Sequence, residues 1–225
     1  MSRPAAERRE ALIALYREVQ ACKLCPLHET RTRVVFGNGN ADADLMFVGE
    51  APGMHEDQQG IPFVGRAGQL LDELLREVGL SREEVFVCNV LKSRPPGNRD
   101  PQPDEISACR PYLDAQVELI EPRVICTLGN FATKLLTRSQ RGITSVRGRP
   151  QAHEIGGRPV RIYPILHPAA ALRTPKIKEQ LREDFSRLPA LLAEALPGQE
   201  SPRPPQRSDE PPQEEPRADQ LGLFG

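Results

Sequence analysis

The chain has 225 residues, enough to bury a sizeable core in one domain, and carries 23 unevenly spread prolines. Seven of them fall in residues 197–225, a segment of net charge −3, which leaves residues 1–196 at +2 and excludes a broadly basic coat. No apolar run reaches the roughly 18 residues of a transmembrane helix, and the charged start MSRPAAERRE lacks a signal-peptide core, so a cytoplasmic protein is expected.

Residues 5–20 carry Leu12, Leu15, Tyr16 and Val19 at helical spacing and run into Cys22-x-x-Cys25-Pro26. Asp44 to Gly49 is a short apolar run ending in glycine, read as a buried strand, and a Gly/Pro-rich loop follows to Gly65. Ala67 to Val78 reads as a helix closed by Gly79. Val85 to Leu91 is a second buried strand, leading into the loop KSRPPGNRDP. Pro103 suits the start of a helix to Ile120, disturbed at Pro111. Val124 to Leu128 is a third strand, and Gly129 opens the helix NFATKLL. A hairpin around Gly156-Gly157 has Val160 to Leu166 as its second arm, the fourth buried strand, ending at His167-Pro168. A last helix spans Ile177 to Leu196, kinked at Pro189. This alternation predicts a three-layer α/β/α sandwich with a mainly parallel four-stranded sheet. Ligands of such sheets bind beyond the carboxyl ends of strands, and the unusual loops lie there, after Gly49, Leu91 and Leu166.

Five cysteines in a reducing compartment point to metal, catalysis or plain burial. Cys22, Cys25, Cys109 and Cys126 together can hold zinc or an iron–sulfur cluster, and the lack of a second C-x-x-C favours the cluster. Cys88 falls mid-strand and reads as buried. The stretch GEAPGMHEDQQGIPFVGRAG (49–68) puts Glu50 where a phosphate cradle would hold an anion, and lacks the lysine of such a cradle. Glu50, an exposed Phe63, Asn89 and His167 at strand ends instead suit a flat, neutral, hydrogen-bonding ligand. A nucleobase fits, stacked on Phe63, paired with Asn89 and facing His167.

Four features in order, GEAPGMHEDQQGIPFVGRAG (49–68), NVLKSRPPGNRDP (89–101), HPAAALR (167–173) and the cysteine pattern, resemble the family-four uracil-DNA glycosylases, iron–sulfur enzymes of the uracil-DNA glycosylase superfamily. The resemblance spans roughly residues 10–195 and implies a uracil-DNA glycosylase domain over 1–196. It implies a 4Fe-4S cluster on Cys22, Cys25, Cys109 and Cys126, and a uracil pocket of Glu50, Ala51, Pro52, Phe63, Asn89 and His167. Glu50, Asn89 and His167 are the expected catalytic residues: Glu50 for the water and sugar charge, His167 for charge on the uracil oxygen, Asn89 for the base edge. Superfamily members with a GQDPYH-type loop carry a catalytic Asp where this chain has Ala51, so Glu50 is the remaining carboxylate. Crosslinking relatives carry a histidine in the loop after the second strand; residues 92–99 contain none, so ordinary turnover is expected. Phosphate contacts are expected from Lys92, Arg94, Arg99, Arg147, Arg149 and Arg173, with Leu172 as the wedge behind the flipped base and Glu56 as a guard against the thymine methyl. A DNA-binding module without activity would have no use for Glu50, Asn89 and His167 together. A nucleosidase would not explain the arginine loops.

Beyond Pro197 the composition predicts a disordered, Pro-rich tail. Its end, Gln220 to Phe224 (QLGLF), resembles the motif by which bacterial repair proteins bind the sliding clamp, with Gln220 at the pocket rim and Leu221, Leu223 and Phe224 as apolar contacts. A monomer acting on uracil-containing DNA, tethered to the clamp, is the expected assembly.

Overall fold

The computed structural model describes residues 3–194. In chain order the elements are α1 (Ala5–Ala21), α2 (Leu27–Thr30), β1 (Asn38–Gly39), β2 (Leu45–Gly49), α3 (Met54–Gln59), α4 (Arg66–Glu77) and β3 (Phe86–Asn89). There follow α5 (Pro103–Ile120), β4 (Val124–Leu128), α6 (Asn130–Thr137), α7 (Ile143–Val146), β5 (Gln151–Ile155), β6 (Arg158–Ile165), α8 (Pro168–Ala171), α9 (Pro175–Ser186) and α10 (Leu188–Ala193). Residues 195–225, including the clamp-like QLGLF, lie outside the described residues. No described helix is long and apolar enough to cross a membrane.

The sheet runs β1-β3-β2-β4-β6-β5; the four inner strands are parallel and both edges antiparallel. The α/β sandwich stands, but the sheet has six strands rather than the expected four. β1 has only two residues, and β5, the first hairpin arm, alternates between half-buried and exposed positions with only Ile155 buried, so neither forms an apolar run. The inner strands read as continuous apolar runs because both faces are covered. Met46, Val48 and Ile125 face one core with α1 and α5, whereas Leu45, Phe47 and Cys126 face the other with α4 and α9.

Helix α5 continues through Pro111 because one lost backbone hydrogen bond is outweighed by the burial of Tyr112, Leu113, Gln116 and Val117. Its start is fixed by a reciprocal cap between Gln102 and Glu105. The last predicted helix is two, α9 and α10, broken at Arg187 two residues before Pro189. Since β3 lies on one side of β2 and β4 on the other, the connections diverge at the carboxyl end of β2. This topological switch point is where an open parallel sheet leaves a crevice.

Candidate active site

Glu50 follows β2, Asn89 ends β3 and His167 follows β6. Parallel strands bring all three to one end of the sheet, where they line a cavity of about 450 Å3 with Ala51, Pro52 and Phe63. All six residues expected around the base are thus brought together. Gly49 lies beneath them: a Cβ there would stand 2.3 Å from Asn89 Oδ1 and 2.8 Å from Phe63 Cζ. Only bare backbone lets amide and ring approach so closely.

Phe63 departs from the sequence expectation, being 9% exposed rather than open. Its backbone is left-handed (φ 55°), a conformation costing about 1–3 kcal/mol for a bulky residue. Two contacts hold it. Glu56 Oε1 accepts the N–H groups of Val64 (3.0 Å) and Gly65 (3.1 Å), and Gly68 leaves room for the Phe63 carbonyl, which a Cβ would strike at 1.6 Å. The ring stacks against His167, centroids 5.7 Å apart at 28°. Glu56 therefore lines the pocket with its carboxylate committed to the loop that carries the stacking ring.

Asn89 is 2% exposed, and among the described residues no side-chain hydrogen bond engages its amide. Its backbone is anchored, since Lys92 Nζ donates to the Asn89 carbonyl at 2.7 Å. His167 caps α8, and its Nδ1 accepts the Ala169 N–H at 3.1 Å, so the proton of the neutral ring sits on Nε2. Burial pushes its pKa down to about 4, although Glu56 acts in the opposite direction. Burial, then Asp100, raises the Glu50 carboxyl above its ordinary value. Glu50 and His167 also border a second cleft of about 780 Å3 that includes Asp100, Lys134, Arg138 and Gln140. Lys134, Arg138 and Gln140 were missed because they sit on and after α6, away from the loops of unusual composition, whereas Asp100 lies in the loop after β3.

The expected phosphate contacts divide. Arg149 and Arg173 are exposed, Leu172 is 37% exposed just after α8, and Arg94 is half-buried with Nε on Asn98. Arg99 lines the base cavity and pairs with buried Glu105 at 2.6 Å. Two assignments are corrected. Arg147 is held by Asp184, Glu183 and the Gln180 carbonyl, so it ties α7 to α9. Lys92 is 2% exposed and reaches inward, donating to Asn89 and to Gln116 Oε1 at 2.6 Å, so it cannot meet a phosphate.

Replacing Lys92 by Met keeps its volume but leaves those two acceptors unpaired, at about 1–3 kcal/mol each. Lys92→Met is expected to lower Tm by several degrees and slow uracil release while leaving the salt dependence of DNA binding unchanged. A phosphate contact would instead reduce that slope by about one. Titrating binding against salt decides between the two.

The cysteines also divide. Cys22, Cys25 and Cys109 line one narrow cleft, with Ser93, Arg31 and Tyr112 around them. Burial first, then Cys22 and Cys25, push the Cys109 thiol up, and the Lys92 N–H donates to its Sγ at 3.4 Å. Thiols that would repel one another once ionised, one of them taking an amide donor, suit a positively charged iron–sulfur core. Among the described residues no three His, Cys, Asp or Glu converge closely enough for a single ion. A polynuclear cluster spreads its ligands over several irons and makes no such demand. Cys126 does not belong to this group. It is fully buried in mid-β4 beside Phe47 and Tyr163, on the opposite face of the sheet from α5. Its spacing from Cys109 resembled a ligand pair, but strand alternation turns it the other way.

The profile of the Uracil DNA glycosylase superfamily matches residues 36–188, and the chain belongs to that superfamily. Within it the chain groups with the type-4 enzymes. It is 50% identical to the Type-4 uracil-DNA glycosylase of Thermotoga maritima over 167 residues, 73% of this chain and 85% of that protein. It is 45% identical to that of Sulfurisphaera tokodaii over 184 residues (80% and 84%) and 44% identical to that of Archaeoglobus fulgidus over 192 (84% and 96%).

Proposed function

We propose that this chain flips uracil out of DNA and hydrolyses its N-glycosidic bond, leaving an abasic site for base-excision repair. The convergence of Glu50, Phe63, Asn89 and His167 on one cavity of about 450 Å3 carries the reading. Phe63 stacks on the extruded base and Asn89 meets its edge with donor and acceptor. As the C1′–N1 bond breaks, its electron pair goes to uracil, and His167 Nε2–H donates to the oxygen where charge collects. A neutral imidazole suits this task, since it stabilises the anion by a hydrogen bond without having to surrender its proton. Glu50 offsets the sugar's positive charge and orients the water; as the water oxygen bonds C1′ its proton passes to the Glu50 carboxylate, and the uracil anion takes up a proton from solvent on release. Incubating the protein with a uracil-containing oligonucleotide is expected to release free uracil and leave an alkali-labile site; strands that stay intact after alkali treatment, with no free uracil, would overturn the reading.

The cleft of Cys22, Cys25 and Cys109 would hold a 4Fe-4S cluster. When bound, such a cluster supplies a cross-link between the α1–α2 turn and α5, a folding contribution more than a reactive one. DNA phosphates would be met by Arg94, Arg99, Arg149 and Arg173, with Leu172 filling the gap in the stack.

Residues 1–196 form the catalytic domain of this proposal, acting as a monomer, and residues 197–225 a tether to a bacterial sliding clamp through Gln220, Leu221, Leu223 and Phe224. The 23 residues from Pro197 to Asp219 separate that motif from the catalytic domain. Gln220→Ala combined with Phe224→Ala is expected to abolish clamp binding by calorimetry and leave cleavage of a short oligonucleotide unchanged.

A further inference from the structure

The cleft that gathers three thiols has a fourth donor of a different kind. Ser93 is 4% exposed and borders the same cleft as Cys22, Cys25 and Cys109, immediately after the Lys92 whose N–H donates to Cys109 Sγ. Its Oγ accepts from Arg31 Nη1 at 3.2 Å, a cation placed to offset negative charge on a ligating oxygen. Arg31 is itself fixed by the Cys22 carbonyl at 2.8 Å, so the guanidinium, the serine and the C-x-x-C turn form one assembly. Tyr112, the other side-chain hydroxyl in the cleft, stands on α5 one turn beyond Cys109, whereas Ser93 comes from a separate segment. The remaining cysteines are elsewhere: Cys126 faces the opposite core, and Cys88 is buried within β3.

We propose that Ser93 Oγ is the fourth ligand of the iron–sulfur site, so that three irons are held by thiolates and one by oxygen. This rests on the cluster reading above. A hard oxygen donor on one corner of a soft thiolate site makes that iron unlike its neighbours and the first to leave. Under ferricyanide one electron passes to the oxidant and one Fe2+ departs, leaving a three-iron cluster.

The full chain is purified anaerobically as wild type, Ser93→Ala, Ser93→Cys and Cys126→Ala, and each is measured for iron and sulfide content, Mössbauer spectrum and EPR after mild oxidation. Wild type is expected to carry about four irons per chain with one spectroscopically distinct site, and Ser93→Ala about three. Ser93→Cys should keep all its irons under ferricyanide, and Cys126→Ala should match wild type. Wild-type iron content and spectra in Ser93→Ala would overturn the ligand assignment, as would loss of iron in Cys126→Ala. A chain free of iron and sulfide in every variant overturns the cluster reading itself, and this ligand with it.

Discussion

Glu50→Gln is expected to lower kcat/KM for uracil release by about 10²–10⁴-fold and to abolish the acid limb of its pH profile. The carboxylate form performs the proposed chemistry, and burial, followed by Asp100, raises its pKa. Activity should therefore fall on acidification at a pH above the ordinary carboxylate range. His167, pushed down to about 4, stays neutral across that limb, so His167→Ala should slow the reaction while keeping the limb. The sign for stability is the reverse of that for activity. A carboxyl whose folded pKa is raised prefers its proton in the folded state, so folding is favoured at low pH and weakened as pH rises through the folded value. At neutral pH Glu50→Gln removes that desolvated charge and should melt at or above the wild-type temperature. A rate profile that keeps its acid limb in Glu50→Gln, or a Tm well below wild type, would remove Glu50 from this role.

What the sequence disclosed follows from how each feature is encoded. The strands β2, β3, β4 and β6 were legible because strands covered on both faces must be apolar throughout, and the residues at their ends were then legible as a site. The edge strands were not, since a two-residue β1 and an alternating β5 bury too little to stand out. Lys92 was misread because a lysine beside Ser-Arg-Pro-Pro looks like a surface charge; its inward reach depends on Gln116, 24 residues away on α5. Arg147 was misread for the same reason, its partner Asp184 lying 37 residues further on. Cys126 carried a plausible spacing and the wrong parity, and only the placement of α5 shows which face of β4 matters. Ser93 had no signal of its own, because a serine shows itself as a ligand only through the thiols gathered around it. Long-range partners account for the misreadings of Lys92, Arg147 and Cys126, whereas Glu50, Asn89 and His167 stand at strand ends and needed none; Phe63, on the loop between α3 and α4, was the pocket residue whose burial was misjudged.

Asn89→Asp should separate recognition from folding. The two side chains have nearly the same shape, and the Asn89 amide has no protein partner among the described residues to lose. Tm should fall modestly, because an unpartnered carboxylate at a 2% exposed site costs more to bury than an amide, while uracil release should fall far more. The edge pattern changes completely: a donor and an acceptor become two acceptors. Uracil presents an N3–H donor flanked by carbonyl oxygens, so one oxygen of the introduced carboxylate would still be matched while the other would oppose a uracil oxygen. A site that leaves a buried polar group unmatched rejects its ligand by up to about 10⁴–10⁵-fold. Cytosine offers an amino donor at the same edge, and its disadvantage should shrink as that of uracil grows. The measurement is kcat/KM for paired oligonucleotides containing uracil or cytosine, with Tm recorded on the same samples. If Asn89→Asp released uracil at the wild-type rate, Asn89 would be a structural residue at the end of β3, and base selection would have to come from backbone groups of the loop between Glu50 and Gly53.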